Sequence, residues 1–362
     1  MSAEASRDEG DVELHDGWIR VHFGGARSYA DFHHRWLRHN CDVDRHPKTR
    51  ERTVDSSELP DDLPVERATV RGAELQIEWA YDHRVSRYSL DWLWLHAYAK
   101  GREEPPPPLS DVAKITVDGR GLDVAARVRA ARAVLDAHGV AVVRRDPANN
   151  VPPEDETEAI VDAFAEGGLR VIGTHFGRIE DLRTDNTTNQ NTDQLGYTDS
   201  PVDLHTDQPF IPSPPRYQLL QGVRPAEVGG ENYVVDAFAA ARVLGAHDRR
   251  ARELLSTVNV RFHRKQKAFE SLVVAPILGE APSGPIVRYS YFTMDPHQVP
   301  FAEMEEWYRA YDRFARLVRD PKNQVRFTLG AGDFLVYDNH RMLHARTAFR
   351  GARWLRGIYF DR

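Results

Sequence analysis

VRFTLGAGDFLVYDNHRMLHAR, residues 325–346, decides the fold class. Two short apolar runs, VRFTL and FLVY, flank GAGD at 330–333, and that arrangement predicts a β-hairpin. Working outward, residues 122–138 carry Val124, Val128, Ala131 and Leu135 at helical spacing, stop at Gly139 and run into the strand VAVV. A second helix fits 154–166. Residues 302–319 carry Met304, Trp307, Tyr308, Tyr311, Phe314 and Val318, an aromatic stripe that reads as the core-facing side of a helix. Short strands between turn residues, with helices outside, suit a β-sandwich or jelly roll better than a parallel sheet. No G-x-G-x-x-G loop argues otherwise. The expected fold is mostly β with flanking helices (α+β): a double-stranded β-helix, or jelly roll, plus a small β-rich N-terminal domain.

The sharpest break in composition is KGREEPPPPLSD at 100–111, whose four prolines favour an extended connector. The expected division is an N-terminal domain at 12–100, a proline-rich linker at 101–112 and a main domain at 113–362. In the first, GWIRVHF and ELQIEW alternate apolar and polar residues as strands do, and SLDWLWLHAY reads as a short helix capped by Ser89. There is no internal repeat. The 362 residues are 41% hydrophobic and 28% charged, as in ordinary globular proteins. A net charge of −7 argues against a nucleic-acid partner. No apolar run approaches the ~18 residues of a membrane span. MSAEASRDEGD lacks the basic start and apolar core of a signal peptide. The single cysteine, Cys41, rules out an internal disulfide and fits a cytoplasmic location. The expected partner is a small-molecule substrate, with no membrane involved; a homodimer is compatible.

Chemistry enters at DLHTDQPF, residues 203–210. His205 and Asp207 stand two apart, so on a strand both project from one face. Alone the pair reads more readily as a surface pair at a strand end. A third donor, His344 in YDNHRMLHAR, follows a strand-like run far downstream. Two histidines and one carboxylate, arranged facially, are how non-haem Fe(II) oxygenases hold iron and keep positions open. A jelly roll would bring such distant strands together. Beyond them, Arg353 in GARWLRGIYF stands on the next expected strand. Buried, it would pair bidentately with a dicarboxylate; exposed, it would be an edge-strand charge.

DLHTDQPF, EVGGENYVVDAF, GDFLVYDNHRMLHAR and GARWLRGIYFD occur in this order, and WLRHNC stands at 36–41. With these motifs the chain resembles the taurine dioxygenase superfamily of Fe(II)/2-oxoglutarate enzymes, and within it the γ-butyrobetaine and trimethyllysine hydroxylase branch. The resemblance spans about residues 15–362. It implies His205, Asp207 and His344 as catalytic iron ligands, with His340 the next candidate for the distal histidine, and Arg353 and Asn232 on 2-oxoglutarate. The implied cosubstrates are 2-oxoglutarate and O₂, with succinate and CO₂ released. Asp207, instead of a small residue that leaves room for chloride, implies hydroxylation or desaturation.

The resemblance further implies a substrate cage of Phe176, Glu180, Tyr197 and Tyr359, with Gln194 near the substrate carboxylate. Glu180 replaces a tryptophan of the γ-butyrobetaine enzymes; it either faces the substrate, where it suits a protonated amine, or pairs with Arg178 or Arg183. For the N-terminal domain the resemblance implies structural zinc on Cys41, Asp44, His46 and His83, or, since two thiolates of the pattern are missing, no metal. The expected function is hydroxylation of a small amine- or betaine-like substrate. The alternatives are desaturation or another oxidative tailoring step in secondary metabolism, and a catalytically silent metal-binding sensor.

Overall fold

In the computed structural model, which describes residues 11–24, 28–102, 105–184 and 195–362, FLVY lies in a strand, Phe334–Asp338, buried at every position. Successive strand side chains point to opposite faces, so complete burial requires cover on both. Phe334 and Val336 pack with the helices Val124–His138 and Thr157–Glu166. Leu335 and Tyr337 pack with Val234, Val325 and Met342 of a second sheet.

That double burial is why the expected hairpin is absent. Val325–Phe327 pairs with Asn232–Asp236, whereas Phe334–Asp338 pairs with Tyr217–Arg224 and Val140–Arg145 in the other sheet. The turn residues carry the chain from one sheet to the next. Asp333 anchors the crossing: its carboxylate accepts from the Arg145 and Gly330 amides (both 2.9 Å) and from Arg144 Nη1 (2.8 Å).

The unit Pro105–Arg362 is layered helix, sheet, sheet, helix. The seven-stranded sheet runs Glu180–Arg183, Trp354–Asp361, Tyr217–Arg224, Phe334–Asp338, Val140–Arg145, Thr116–Gly119, with Arg170–Ile172 beside Trp354–Asp361. Its one parallel pair is Thr116–Gly119 with Val140–Arg145, bridged by Val124–His138. That helix starts where Asp123 accepts from the Ala126 amide (2.7 Å) and stops at Gly139, whose φ of 78° is the left-handed cap a glycine takes without strain. The second sheet runs Val202–His205, Met342–Arg346, Asn232–Asp236, Val325–Phe327. The helices Ala237–His247, Arg249–Thr257 and Phe301–Arg319 pack on its outer face through Leu204, Val235 and Leu343. The aromatic stripe does face the core at Trp307, Phe314 and Val318, while Tyr308 is exposed.

The unit Met1–Glu104 contains two three-stranded sheets, Val12–His15, Trp18–His22, Tyr29–His33 and Val65–Arg71, Glu74–Trp79, Val85–Ser89, around a core that includes Phe32, Leu37, Ile77, Trp79 and Leu93. Glu74–Trp79 alternates cleanly; Trp18–His22 does not, because Arg20 is buried too, paired with Asp31 at 2.8 and 3.0 Å. Ser89 caps the helix Leu90–His96, accepting from Trp92 N. Among the described residues no helix is long and apolar enough to cross a membrane.

Candidate active site

His205 ends Val202–His205 and lies opposite His344 on Met342–Arg346. Two histidines remote in sequence thus become cross-strand neighbours, their ring centroids 4.1 Å apart. Asp207 Oδ1 lies 3.3 Å from His205 Nε2 and 3.9 Å from His344 Nε2. One donor atom from each side chain falls within 4.8 Å of the other two.

Each donor is held from behind. His205 Nδ1 donates to the Asp203 carbonyl (2.8 Å), which leaves the Nε2 lone pair facing the cluster. The Tyr337 hydroxyl lies 2.9 Å from His344 Nδ1 and 3.2 Å from its Nε2, and also bonds Gln218. Tyr359 donates to Asp207 Oδ2 (2.9 Å), leaving Oδ1 on the histidine side. Gln218 sits opposite both Tyr337 and Tyr359, so three adjacent strands of the seven-stranded sheet supply these props. Asn339 clamps the Asp207 backbone: it accepts from the amide (2.7 Å) and donates to the carbonyl (3.1 Å). Gln208 then adopts φ 53°, a left-handed conformation that costs a non-glycine about 1–3 kcal/mol.

The electrostatics suit a cation. Burial, then the neighbouring His205, push the His344 imidazole down to about 3, so at neutral pH it is an uncharged lone-pair donor. Burial alone would raise Asp207, but His344, His205 and the Tyr359 hydroxyl outweigh it and bring the carboxyl down to about 2. Two imidazoles, that of His344 uncharged, and an ionised carboxylate are the donor set that non-haem Fe(II) takes. These residues fit the metal.

Beside the cluster lies a cavity of about 140 Å³. Arg353 lines it, 8% exposed, immediately before Trp354–Asp361, which is an interior strand, so the edge-strand alternative fails. Burial, then the charge of Arg346, lower its guanidinium to about 9, which leaves it cationic at neutral pH. Among the described residues it makes no hydrogen bond or ion pair, and its guanidinium stands 5.3 Å from the Phe349 ring centre. A buried, uncompensated cation calls for an anionic ligand. Asn232 lines the same cavity. So does Arg346, which donates to the Thr198 and Ser200 carbonyls (3.0 and 2.6 Å) while its buried Nη1 has no partner among the described residues. A carboxylate-bearing cosubstrate fits these donors.

Of the expected substrate residues, Phe176, Glu180 and Tyr359 line the cavity. Tyr197 is buried behind, donating to Glu180 Oε1 (2.8 Å). Gln194 lies outside the described residues. Glu180 does not make the alternative pairing: Arg178 binds Glu158 (2.7 Å), and Arg183 lies over the Trp354 ring (3.6 Å). His340 is turned elsewhere, its Nε2 2.9 Å from the Pro214 carbonyl. Tyr337, Gln218, Asn339, Arg346 and Arg264, the last also lining the cavity, were not anticipated as part of the site. Each is a lone residue with no spacing to betray it.

The four candidate zinc ligands do not converge. Cys41 and Asp44 adjoin, but His46 is exposed and accepts from the Thr49 amide (3.2 Å), and exposed His83 pairs with Glu66 (3.1 Å). Beside Cys41 and Asp44 sits the buried Arg38 guanidinium, bonded to Cys41 Sγ (3.0 Å), Asp44 and Asp82 (3.2 Å). A cation already stands where the thiolate and carboxylate would need one, so these residues do not fit zinc. Arg38→Met should therefore lower stability by up to roughly 3–5 kcal/mol, since buried Asp44 keeps only the half-exposed Arg84 (3.3 Å) as a charge partner. In iron-free protein a strong chelator should leave the melting temperature unchanged; a chelator-induced fall would restore the zinc reading.

Comparison with known proteins follows the same lines. Residues 103–359 match the family model described as taurine catabolism dioxygenase TauD, TfdA family, and residues 12–94 match the γ-butyrobetaine hydroxylase-like N-terminal model. The chain is 25% identical to trimethyllysine dioxygenase of Meyerozyma guilliermondii, across 95% of this chain and 90% of that one. It is 29% identical to γ-butyrobetaine dioxygenase of Pseudomonas sp. strain AK-1, across 92% and 88%. Among solved structures, the PvcB protein of Pseudomonas aeruginosa aligns with a TM-score of 0.50 at 21% identity, covering 70% of this chain and 89% of that one. A taurine dioxygenase from Burkholderia xenovorans aligns with a TM-score of 0.50 at 18% identity, with coverages of 70% and 89%. What these two share with the chain is the fold. The first family match spans most of the sequence, and the chain belongs to the taurine catabolism dioxygenase TauD, TfdA family.

Proposed function

We propose that the protein is an Fe(II)/2-oxoglutarate-dependent oxygenase that hydroxylates a small amine- or betaine-like substrate. The observation that carries this reading is one cavity holding both the His205, Asp207, His344 cluster and the guanidinium of Arg353, which no described residue compensates. The names of the trimethyllysine and γ-butyrobetaine relatives support the substrate class.

In this reading His205, Asp207 and His344 would hold iron, His205 through the Nε2 left free by the Asp203 carbonyl, while Tyr359 keeps Asp207 Oδ2 occupied. Iron bound there supplies O₂ activation, coupled to oxidative decarboxylation of 2-oxoglutarate to succinate and CO₂. Arg353 takes the distal carboxylate of 2-oxoglutarate through its planar fork, and the Asn232 amide donates to the same group. Phe176 and Phe292 present apolar surface to the remaining space, where the substrate lies. The facing sheets then belong to a double-stranded β-helix, with the small domain at 12–100 and the proline-rich linker at 101–112 ahead of it.

A screen of amines and betaines with Fe(II), 2-oxoglutarate and O₂, read by succinate, tests the reading. At least one compound should raise succinate well above the substrate-free rate and leave a product heavier by one oxygen. A product lighter by two hydrogens would make the reaction a desaturation. No stimulation by any compound, in protein that also fails to bind 2-oxoglutarate, would overturn the reading.

A further inference from the structure

Arg346 ends the strand Met342–Arg346 two residues after His344, so both side chains leave the same face. It is 6% exposed and lines the cavity together with Asn232, its opposite number on the neighbouring strand. Its guanidinium meets two parts of the molecule. Toward the wall, Nη2 donates to the Thr198 and Ser200 carbonyls (3.0 and 2.6 Å), and the exposed carboxylate of Asp199 adds attraction. Leu195 and Gly196 of that segment line the cavity, and the Thr198 amide donates to the Leu195 carbonyl (3.1 Å). Toward the other end, Arg346 and Arg353 share the Phe349 ring, their guanidinium carbons 4.6 and 5.3 Å from its centre. The charge of Arg346 acts on Arg353, and the buried Nη1 of Arg346 has no partner among the described residues.

Two guanidinium cations at one buried cavity repel, and the protein interior screens that repulsion less than water does. A buried donor without an acceptor, such as Nη1, adds a further cost. A carboxylate held by Arg353 and Asn232 would also stand near Arg346, because Asn232 and Arg346 are paired in register. It would offset the repulsion and leave Arg346 seated more firmly on the Thr198 and Ser200 carbonyls. We propose that Arg346 is a positioning residue through which bound 2-oxoglutarate firms residues 195–200, the wall against which the substrate lies. The proposal rests on the oxygenase reading of the same cavity and adds a link between the cosubstrate's end and the substrate's.

Hydrogen–deuterium exchange of the anaerobic Fe(II) protein, with and without saturating 2-oxoglutarate, tests it, and calorimetry measures 2-oxoglutarate binding separately. In the unsubstituted protein 2-oxoglutarate should slow exchange of the amides in 195–200 about fivefold or more, the lower end of coupling between two sites. Arg346→Met removes the charge and both carbonyl bonds. It should still bind 2-oxoglutarate through Arg353, but the segment should then exchange alike with and without it. Arg346→Lys should recover only a small part of the response, because a point charge replaces a planar fork; it decides the matter if Arg346→Met does not fold. The readout is the response to 2-oxoglutarate, which a merely structural arginine would not change. The proposal is overturned if the segment ignores bound 2-oxoglutarate, or if either variant responds as fully as the unsubstituted protein. Complete loss of 2-oxoglutarate binding in a folded Arg346→Met protein also overturns it, by making Arg346 a direct ligand of the cosubstrate. These results leave the oxygenase reading standing, whereas failure of 2-oxoglutarate to bind the unsubstituted protein overturns both.

Discussion

Alanine at His205, Asp207 or His344 should abolish turnover and release iron. In the proposed reading each side chain would supply one of three protein bonds to the metal, so losing any one leaves an incomplete face. The loss should exceed the roughly 10–100-fold typical of removing an outer hydrogen-bond partner. The three effects should not add, because the donors work as one unit. Asp207→Gly should also remove hydroxylation. Circular dichroism and melting controls separate this from misfolding, since the histidines sit on strands whose burial rests mainly on their neighbours Leu204, Leu343 and Ala345. Substantial activity in His344→Ala would move the distal ligand elsewhere. His340, turned toward the Pro214 carbonyl, would then have to swing into the site.

The second large effect is expected at Arg353. Arg353→Ala should raise the apparent KM for 2-oxoglutarate far more than that for the substrate. Truncating one partner of a buried charge pair typically costs about 3–5 kcal/mol, on the order of a hundred- to a thousandfold or more. In this protein the residue is buried and uncompensated by any described neighbour, so the ligand's carboxylate is the partner at stake. Arg353→Lys should rescue only partly, because a point charge replaces a planar fork. A rise in substrate KM with 2-oxoglutarate unaffected would assign Arg353 to the substrate instead.

The metal cluster was legible in the sequence because its chemistry has a pattern. A His-x-Asp at a strand end and a distant histidine after an apolar run are visible without coordinates. The register that sets His205 opposite His344 is not, because pairing between remote strands leaves no local trace. FLVY misled for a related reason. A run apolar at every position marks a strand covered on both faces, and adjacency to VRFTL says nothing about which sheet will receive it. Tyr359 was expected for its ring; its hydroxyl, bonded to Asp207, is what the fold adds. The expected zinc set went astray because residue types alone do not reveal an intruder. Arg38, three residues before Cys41, is the cation among those ligands. Glu180 stood between two readings on sequence; it bonds Tyr197, and Arg178 and Arg183 are engaged elsewhere.

The most direct test of the central claim is an anaerobic titration, first with Fe(II) and then with 2-oxoglutarate, followed by visible absorption. The account predicts one iron per chain and a charge-transfer band that grows only when both are present, saturating at one equivalent of 2-oxoglutarate. The band should vanish in Asp207→Ala and require far more 2-oxoglutarate in Arg353→Ala. Iron that binds without any response to 2-oxoglutarate, or a band indifferent to Asp207 and Arg353, would contradict it.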